Sequence, residues 1–166
     1  MAISSSQIFD TSGIRLNKDA CVVIVSTEWN REVVGKLEEG CIKVLEENKI
    51  AYRHIIVPGA VEIPFAIKDF WTKSRQKEVQ PDAFVALGCV LRGDTPHFEY
   101  VCNSVTDGIT QLNISLPVPT IFGVLTVNTQ EQADERIGGK HGHKGEEAAA
   151  TAIKMIALSR SFENKE

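Results

Sequence analysis

"ACVVIVS", Ala20–Ser26, is the stretch on which the fold turns. Its apolar residues are consecutive rather than alternating, so the segment suits a strand covered on both faces, as in a parallel sheet. Three further runs read the same way: "YRHIIV" (Tyr52–Val57), "AFVALG" (Ala83–Gly88) and "PTIFGVLT" (Pro119–Thr126). Between the first two, Val33, Val34, Leu37, Cys41, Val44 and Leu45 have the spacing of one helix face. A second helix is predicted from about Pro64 to Ser74. A third begins after Thr95 and carries Tyr100, Val101, Val105, Ile109 and Leu112. After the fourth strand, "TQEQADER" opens with Thr129 and has Gln132 three residues later, a capping-box signature for a helix reaching Arg136. A glycine-rich turn, "GGKHGHKG", leads into a last helix, "EEAAATAIKMIALSRSF".

Strands alternating with helices predict an α/β fold: a doubly wound, flavodoxin-like three-layer α/β/α sandwich on a four-stranded parallel core sheet. At 166 residues the chain fits one domain, residues 1–166, with 1–12 expected as a flexible or subunit-contacting N-terminal arm. An apolar fraction of 43% against 24% charged residues is that of an ordinary globular protein, which sets disorder aside away from the termini.

The formal net charge is -4, and the lysines and arginines are scattered without a basic run. Nucleic acid and anionic membrane are therefore not expected partners, and a small molecule or another protein is. No apolar stretch approaches the roughly 20 residues that span a bilayer, and "MAISSSQIFD" lacks the regions of a secretory signal, so the cytosol is the expected compartment. Cys21, Cys41, Cys89 and Cys102 lie in apolar patterns without zinc or redox spacing and read as reduced core residues.

In doubly wound folds ligands bind outside the carboxyl ends of the strands, which singles out four loops. After the first strand, "STEWNRE" exposes Trp29, whose indole either offers a flat face to a planar ring or covers the sheet edge. After the second, "VPGAVEIPFA" holds Glu62 near a helix start, where a carboxylate serves either the helix dipole or a ligand. After the third, "GCVLRGDTPHFEY" combines Gly93, a capping Thr95 and Pro96 at the first helical position, an N-terminus whose free N–H groups can hold phosphate. His97 beside it is either a proton shuttle or a partly buried structural histidine. After the fourth, Arg136 suits a phosphate or a surface ion pair. "HGHKG" supplies two histidines but no third ligand nearby, so no metal site is expected. The glycine-rich dinucleotide fingerprint and the P-loop are both absent, and the strand ends lack the aspartates of a phospho-acceptor domain.

Together, "VPGAVEIPFA", "GCVLRGDTPHFEYVCN", "PTIFGVLTVNTQEQADER" and "GHKGEEAA" resemble the 6,7-dimethyl-8-ribityllumazine synthase family, in order and spacing, from about Gly13 onward. The resemblance implies condensation of 5-amino-6-ribitylaminouracil with 3,4-dihydroxy-2-butanone 4-phosphate in riboflavin biosynthesis, through imine formation, loss of phosphate, ring closure and dehydration, with no cofactor and no metal. It implies that Trp29 stacks on the pyrimidine, that Ala60, Val61 and Glu62 bind the uracil substrate and its ribityl chain, and that Cys89, Val90 and Leu91 border the ring. Asp94, Thr95 and Arg136 would hold the phosphate, with His97 as acid/base group and Lys144 close by.

Phe122 would reach into a neighbouring subunit's site, because active sites of the family lie between subunits of a homopentamer; in some members twelve pentamers form a 60-subunit shell. The short turn "IGGKHGHKG" permits such a shell. Two positions differ from the family's commoner residues: Trp29 replaces phenylalanine, which implies stronger binding of flavin-like rings, and His143 replaces asparagine. The competing readings are a non-catalytic flavin-binding or shell-forming protein of the same fold, and a flavodoxin-like electron carrier. The second would want a glycine in "STEWNRE" for its phosphate loop.

Overall fold

The structure, a computed structural model, describes residues 9–16, 19–74 and 80–163. The expected arm lies, for residues 1–8, outside the described ones.

Strand β1 (Cys21–Thr27) is buried along its whole length, as the apolar run Cys21–Val25 requires, with the polar Ser26 and Thr27 buried at its carboxyl end. It pairs in parallel with β2 (Ala51–Val57) on one side and β3 (Ala83–Leu91) on the other, and β3 pairs in parallel with β4 (Thr120–Val127). The sheet order is therefore β2-β1-β3-β4. Chain direction across the sheet reverses between β1 and β3, which opens a crevice at their carboxyl ends.

Successive residues of a strand face opposite sides, and the core divides accordingly. Val22 and Ile24 of β1 with Val85 and Leu87 of β3 face helices α1 (Arg31–Glu47) and α5 (Lys144–Glu163). Val23 and Val25 with Phe84 and Ala86 face α2 (Ile63–Ser74) and α3 (His97–Ser115). Phe84, fully buried, meets Phe70 edge-to-face at 6.0 Å and 84°. Truncating it to alanine should cost about 3–5 kcal/mol. On the other face, α1 and α5 approach so closely that a Cβ on Gly145 would lie 2.0 Å from the Leu37 oxygen, a backbone atom.

Boundaries differ from the sequence expectation where flanking residues intervene. Strand β3 runs on through Cys89, Val90 and Leu91, because β4 continues to pair with it as far as Val127. β2 is an edge strand whose residues are mostly exposed, not covered on both faces. Helix α2 starts at Ile63, preceded by a 3-10 turn over Ala60–Glu62. Helix α4 (Gln130–Asp134) stops short of Arg136. Its Thr129 hydroxyl accepts from the Gln132 N–H as foreseen, but the Gln132 side chain accepts from the Asn128 N–H instead of closing the box on Thr129. The glycine-rich turn is a small antiparallel hairpin, β5 (Ile137–Gly139) with β6 (Gly142–His143). Helix α5 begins at Lys144, where His143 Nδ1 accepts from the Glu146 N–H at 3.4 Å.

Candidate active site

The loop after β1 is tied down before it reaches α1. Glu28 and Trp29 donate their N–H groups to Val57 and Pro58 oxygens at 2.9 and 3.3 Å, so the loop runs alongside the end of β2. Asn30 adopts a left-handed conformation, φ 56°, tolerable for asparagine, and its side-chain amide donates to the Cys89 oxygen at 2.7 Å. These anchors leave the Trp29 indole 73% exposed, so it does not serve to cover the sheet edge within the chain. Gly59 lies beneath it: a Cβ there would sit 3.5 Å from Trp29 Cδ1 and 3.0 Å from Glu62 Oε2.

The carboxyl ends of β1 and β3, the 3-10 turn and the first turns of α3 enclose a pocket of about 440 Å³. Trp29, Ala60, Val61, Glu62, Cys89, Val90, Leu91 and His97, all singled out from sequence, line it together. Thr27, Asn30, Gly59 and Val101 also line it and were not foreseen. An asparagine just ahead of a helical pattern reads as an N-cap, but Asn30 makes no cap hydrogen bond and its amide turns to Cys89 instead.

His97 is exposed, and its imidazole has no partner among the described residues; it is not the partly buried structural histidine that was the alternative. The Glu62 carboxylate is likewise exposed and without an ion pair among the described residues. Both groups therefore remain available to a bound molecule. Cys89 is different: burial raises its thiol to about 11, so at neutral pH it offers shape and not a nucleophile.

Asp94 and Thr95 are exposed in the loop entering α3, beyond the pocket lining. The Thr95 hydroxyl accepts from the His97 N–H at a long 3.4 Å, and Glu99 N–H bonds the Pro96 oxygen at 3.1 Å, while among the described residues the Asp94 and Thr95 N–H groups have no acceptor and stay free for an anion.

Three expected site residues stand apart from this pocket. Phe122, 42% exposed, and Lys144 line a larger, mostly apolar groove of about 830 Å³ along the outer edge of β4, with Met155, Leu158 and Phe162. Lys144 Nζ pairs there with Glu147 Oε2 at 2.6 Å. Arg136 lines neither concavity; its Nη1 donates to the Gln132 oxygen at 2.7 Å. The smaller pocket concentrates the groups able to move protons and bind polar atoms, whereas the larger groove presents mainly side-chain hydrocarbon.

His141 and His143 are engaged elsewhere, with Glu135 at 3.4 Å and at the start of α5, and among the described residues no three His, Cys, Asp or Glu side chains group to hold a metal ion. Cys21 and Cys41 are buried and Cys102 is half-buried, all unpaired with one another. No described helix is long and apolar enough to cross a membrane.

A model of the 6,7-dimethyl-8-ribityllumazine synthase family matches residues 19–160. Enzymes carrying that name from Porphyromonas gingivalis and Parabacteroides distasonis are 48% and 44% identical over 155 and 154 residues. These alignments cover 92% and 91% of this chain and 93% of each relative. The one from Bdellovibrio bacteriovorus is 49% identical over 85% of the chain and 76% of its own length. The chain belongs to the 6,7-dimethyl-8-ribityllumazine synthase family. The four-stranded parallel sheet between helical layers is the lumazine synthase fold, and the family match runs through every strand-end loop described above. Membership in the lumazine synthase family brings small-molecule substrates and an oligomeric assembly.

Proposed function

We propose that the pocket around Trp29 and His97 is the pyrimidine half of a lumazine synthase active site, in which 5-amino-6-ribitylaminouracil condenses with 3,4-dihydroxy-2-butanone 4-phosphate. The observation that carries the reading is the convergence on one pocket of an exposed indole with a carboxylate and an imidazole that are unpaired among the described residues. The indole of Trp29 stacks on the pyrimidine, which Cys89, Val90 and Leu91 border. Ala60 and Val61 hold the uracil, and Glu62 takes the ribityl hydroxyls.

The phosphate of the second substrate lies at the start of α3, against Asp94 and Thr95 N–H groups and the Thr95 hydroxyl. The amine attacks the ketone to form an imine with loss of water. Elimination then places charge on the departing phosphate, which fixed N–H dipoles and the Arg136 guanidinium stabilise without reorganising. His97 moves the protons that imine formation and elimination require, and a second dehydration follows ring closure. Holding both substrates side by side accounts for up to roughly 7–11 kcal/mol of the barrier, and the proton shuttle for about 10²–10⁴ in rate.

Phe122, Arg136 and Lys144 are proposed to serve a neighbouring subunit's pocket. Their separation from the pocket within one chain supports this division. The assembly proposed is a homopentamer in the cytosol, which the short β5–β6 hairpin allows to build a 60-subunit shell; light scattering distinguishes the two sizes. The activity is tested by mixing both substrates with the protein and following the lumazine product by absorbance. A rate no greater than the spontaneous one overturns the reading.

A further inference from the structure

Arg92 follows the last residue of β3 and extends the ladder by one bond, its N–H donating to the Val127 oxygen at 2.9 Å. Its side chain then makes three contacts. Nε donates to Asn128 Oδ1 at 2.7 Å, Nη1 donates to Glu99 Oε1 at 2.5 Å, and the guanidinium carbon stands 4.1 Å from the centre of the Phe98 ring. Phe98 and Glu99 lie in the first turn of α3, so these contacts bridge from one end of the loop 93–96 to the other. Inside that span, the Thr95 and Pro96 contacts at 3.4 and 3.1 Å tie only its helical end, while a Cβ on Gly93 would meet nothing within 4 Å. The loop is thus held mainly from outside.

We propose that Arg92 is a positioning residue for the phosphate substrate, clasping both ends of the loop so that the Asp94 and Thr95 N–H groups are in place before phosphate arrives. The proposal rests on reading that loop as the phosphate cradle. Flat, rigid guanidinium geometry is what lets one side chain donate in two directions while stacking on a ring, which an ammonium cannot do. As an ion pair between half-exposed groups the Arg92–Glu99 contact adds little to global stability. Its effect falls on the loop, because a cradle ordered beforehand spares the ligand the entropy of ordering it. The hydrogen bond from Arg92 keeps the Glu99 carboxyl below the usual range.

The clasp also reaches Arg136. Asn128, which accepts from Arg92, donates its N–H to Gln132 Oε1 at 2.8 Å, and the Gln132 oxygen accepts from Arg136 at 2.7 Å. Arg136, proposed to serve a neighbouring subunit's pocket, is thus joined by a series of bonds to the clasp of this chain's own cradle.

The full-length protein is titrated calorimetrically with inorganic phosphate, and KM is measured for both substrates, in the wild type and in Arg92→Ala, Arg92→Lys, Glu99→Ala and Glu99→Gln. Arg92→Ala is expected to weaken phosphate binding and raise KM for the phosphate substrate by about tenfold, with KM for the pyrimidine changed by less than about twofold. Arg92→Lys recovers only part of the loss, and Glu99→Gln, which keeps an acceptor, stays closer to wild type than Glu99→Ala. Unchanged phosphate affinity in Arg92→Ala overturns the proposal. So does a rise in both KM values together with a lower unfolding temperature, which marks a merely structural residue. If the wild type forms no product, the assigned activity fails separately; the calorimetric comparison still decides the clasp, and a wild type that takes up no phosphate overturns it.

Discussion

The Asn30 amide and the Cys89 carbonyl, 59 residues apart in sequence, join the loop carrying Trp29 to the far end of β3 through a 2.7 Å hydrogen bond. Asn30→Ala removes this bond and also puts a less suitable residue at φ 56°, so it should destabilise the fold by about 1–3 kcal/mol. Asn30→Gly relieves the backbone but not the lost bond, and should fall between the two in denaturant unfolding. Alanine and wild type of equal stability would show that the contact contributes nothing.

Replacing His97 by glutamine should lower kcat by about 10²–10⁴ without abolishing turnover, since orientation and phosphate stabilisation remain. Steady-state kinetics checks this. A variant as fast as the wild type removes His97 from the proton transfers.

Trp29 presents most of its indole to solvent, so its aromatic area is available to a second flat ring. Riboflavin, titrated by fluorescence, is expected to bind the wild type several-fold more tightly than Trp29→Phe, an advantage of roughly 0.5–1.5 kcal/mol for the larger ring. Equal affinities in the two proteins would sink the idea.

Glu38 is 5% exposed, and burial alone would push its carboxyl up; hydrogen bonds from Arg31 and Ser26, with His54 Nε2 at 3.2 Å, bring the net shift below the usual carboxylate range. A carboxyl lowered by folding stabilises the native state above its unfolded value, about 4.3, and loses that contribution as pH falls through the folded value. Wild type should therefore lose stability below about pH 4.3 more steeply than Glu38→Gln, which has no such titration. Unfolding midpoints measured from pH 7 down to 3 decide it; parallel curves would assign the acid limb to other groups.

Gly145 packs against α1 so closely that a Cβ would lie 2.0 Å from the Leu37 oxygen. Backbone cannot yield as a flexible side chain does. Gly145→Ala should cost at least about 2–3 kcal/mol by prying α5 from α1. Gly35→Ala is the control, because its Cβ would meet nothing within 4 Å and alanine favours a helix. Thermal unfolding of both variants gives the comparison.

The sheet was readable because β1 is apolar without a break from Cys21 to Val25, and the loops at its carboxyl edge followed from the alternation of strands and helices. The end of β3 was not, because Gly88 reads as a stop; in the fold it is an interior strand residue paired with Val124. Nor did pattern show β2 as an edge strand, since apolar runs do not reveal which strand lacks a neighbour. Trp29 stood out as an indole in a loop, and Glu62 and His97 by their places at helix starts beyond the strand ends. Asn30 and Arg92 did not, because their partners Cys89 and Asn128 lie 59 and 36 residues away. The separation of Lys144 from His97 was equally hidden, since it depends on which rim of the sheet a side chain faces, whereas the resemblance already directed Phe122 to a neighbouring subunit's site.

β1 stops pairing with β3 at Leu87, while β4 accompanies β3 four residues farther, to Leu91. From Gly88 onward one side of β3 is therefore main chain with no strand beside it, and Asn30 takes the Cys89 oxygen there. A heterocycle whose rim alternates donors and acceptors can occupy the remainder as a short surrogate strand. Recognition written in the peptide backbone does not change when Val90 or Leu91 is replaced. Side-chain variation at these positions can then reshape the walls of the pocket while the hydrogen-bonding pattern it offers to a ring stays the same.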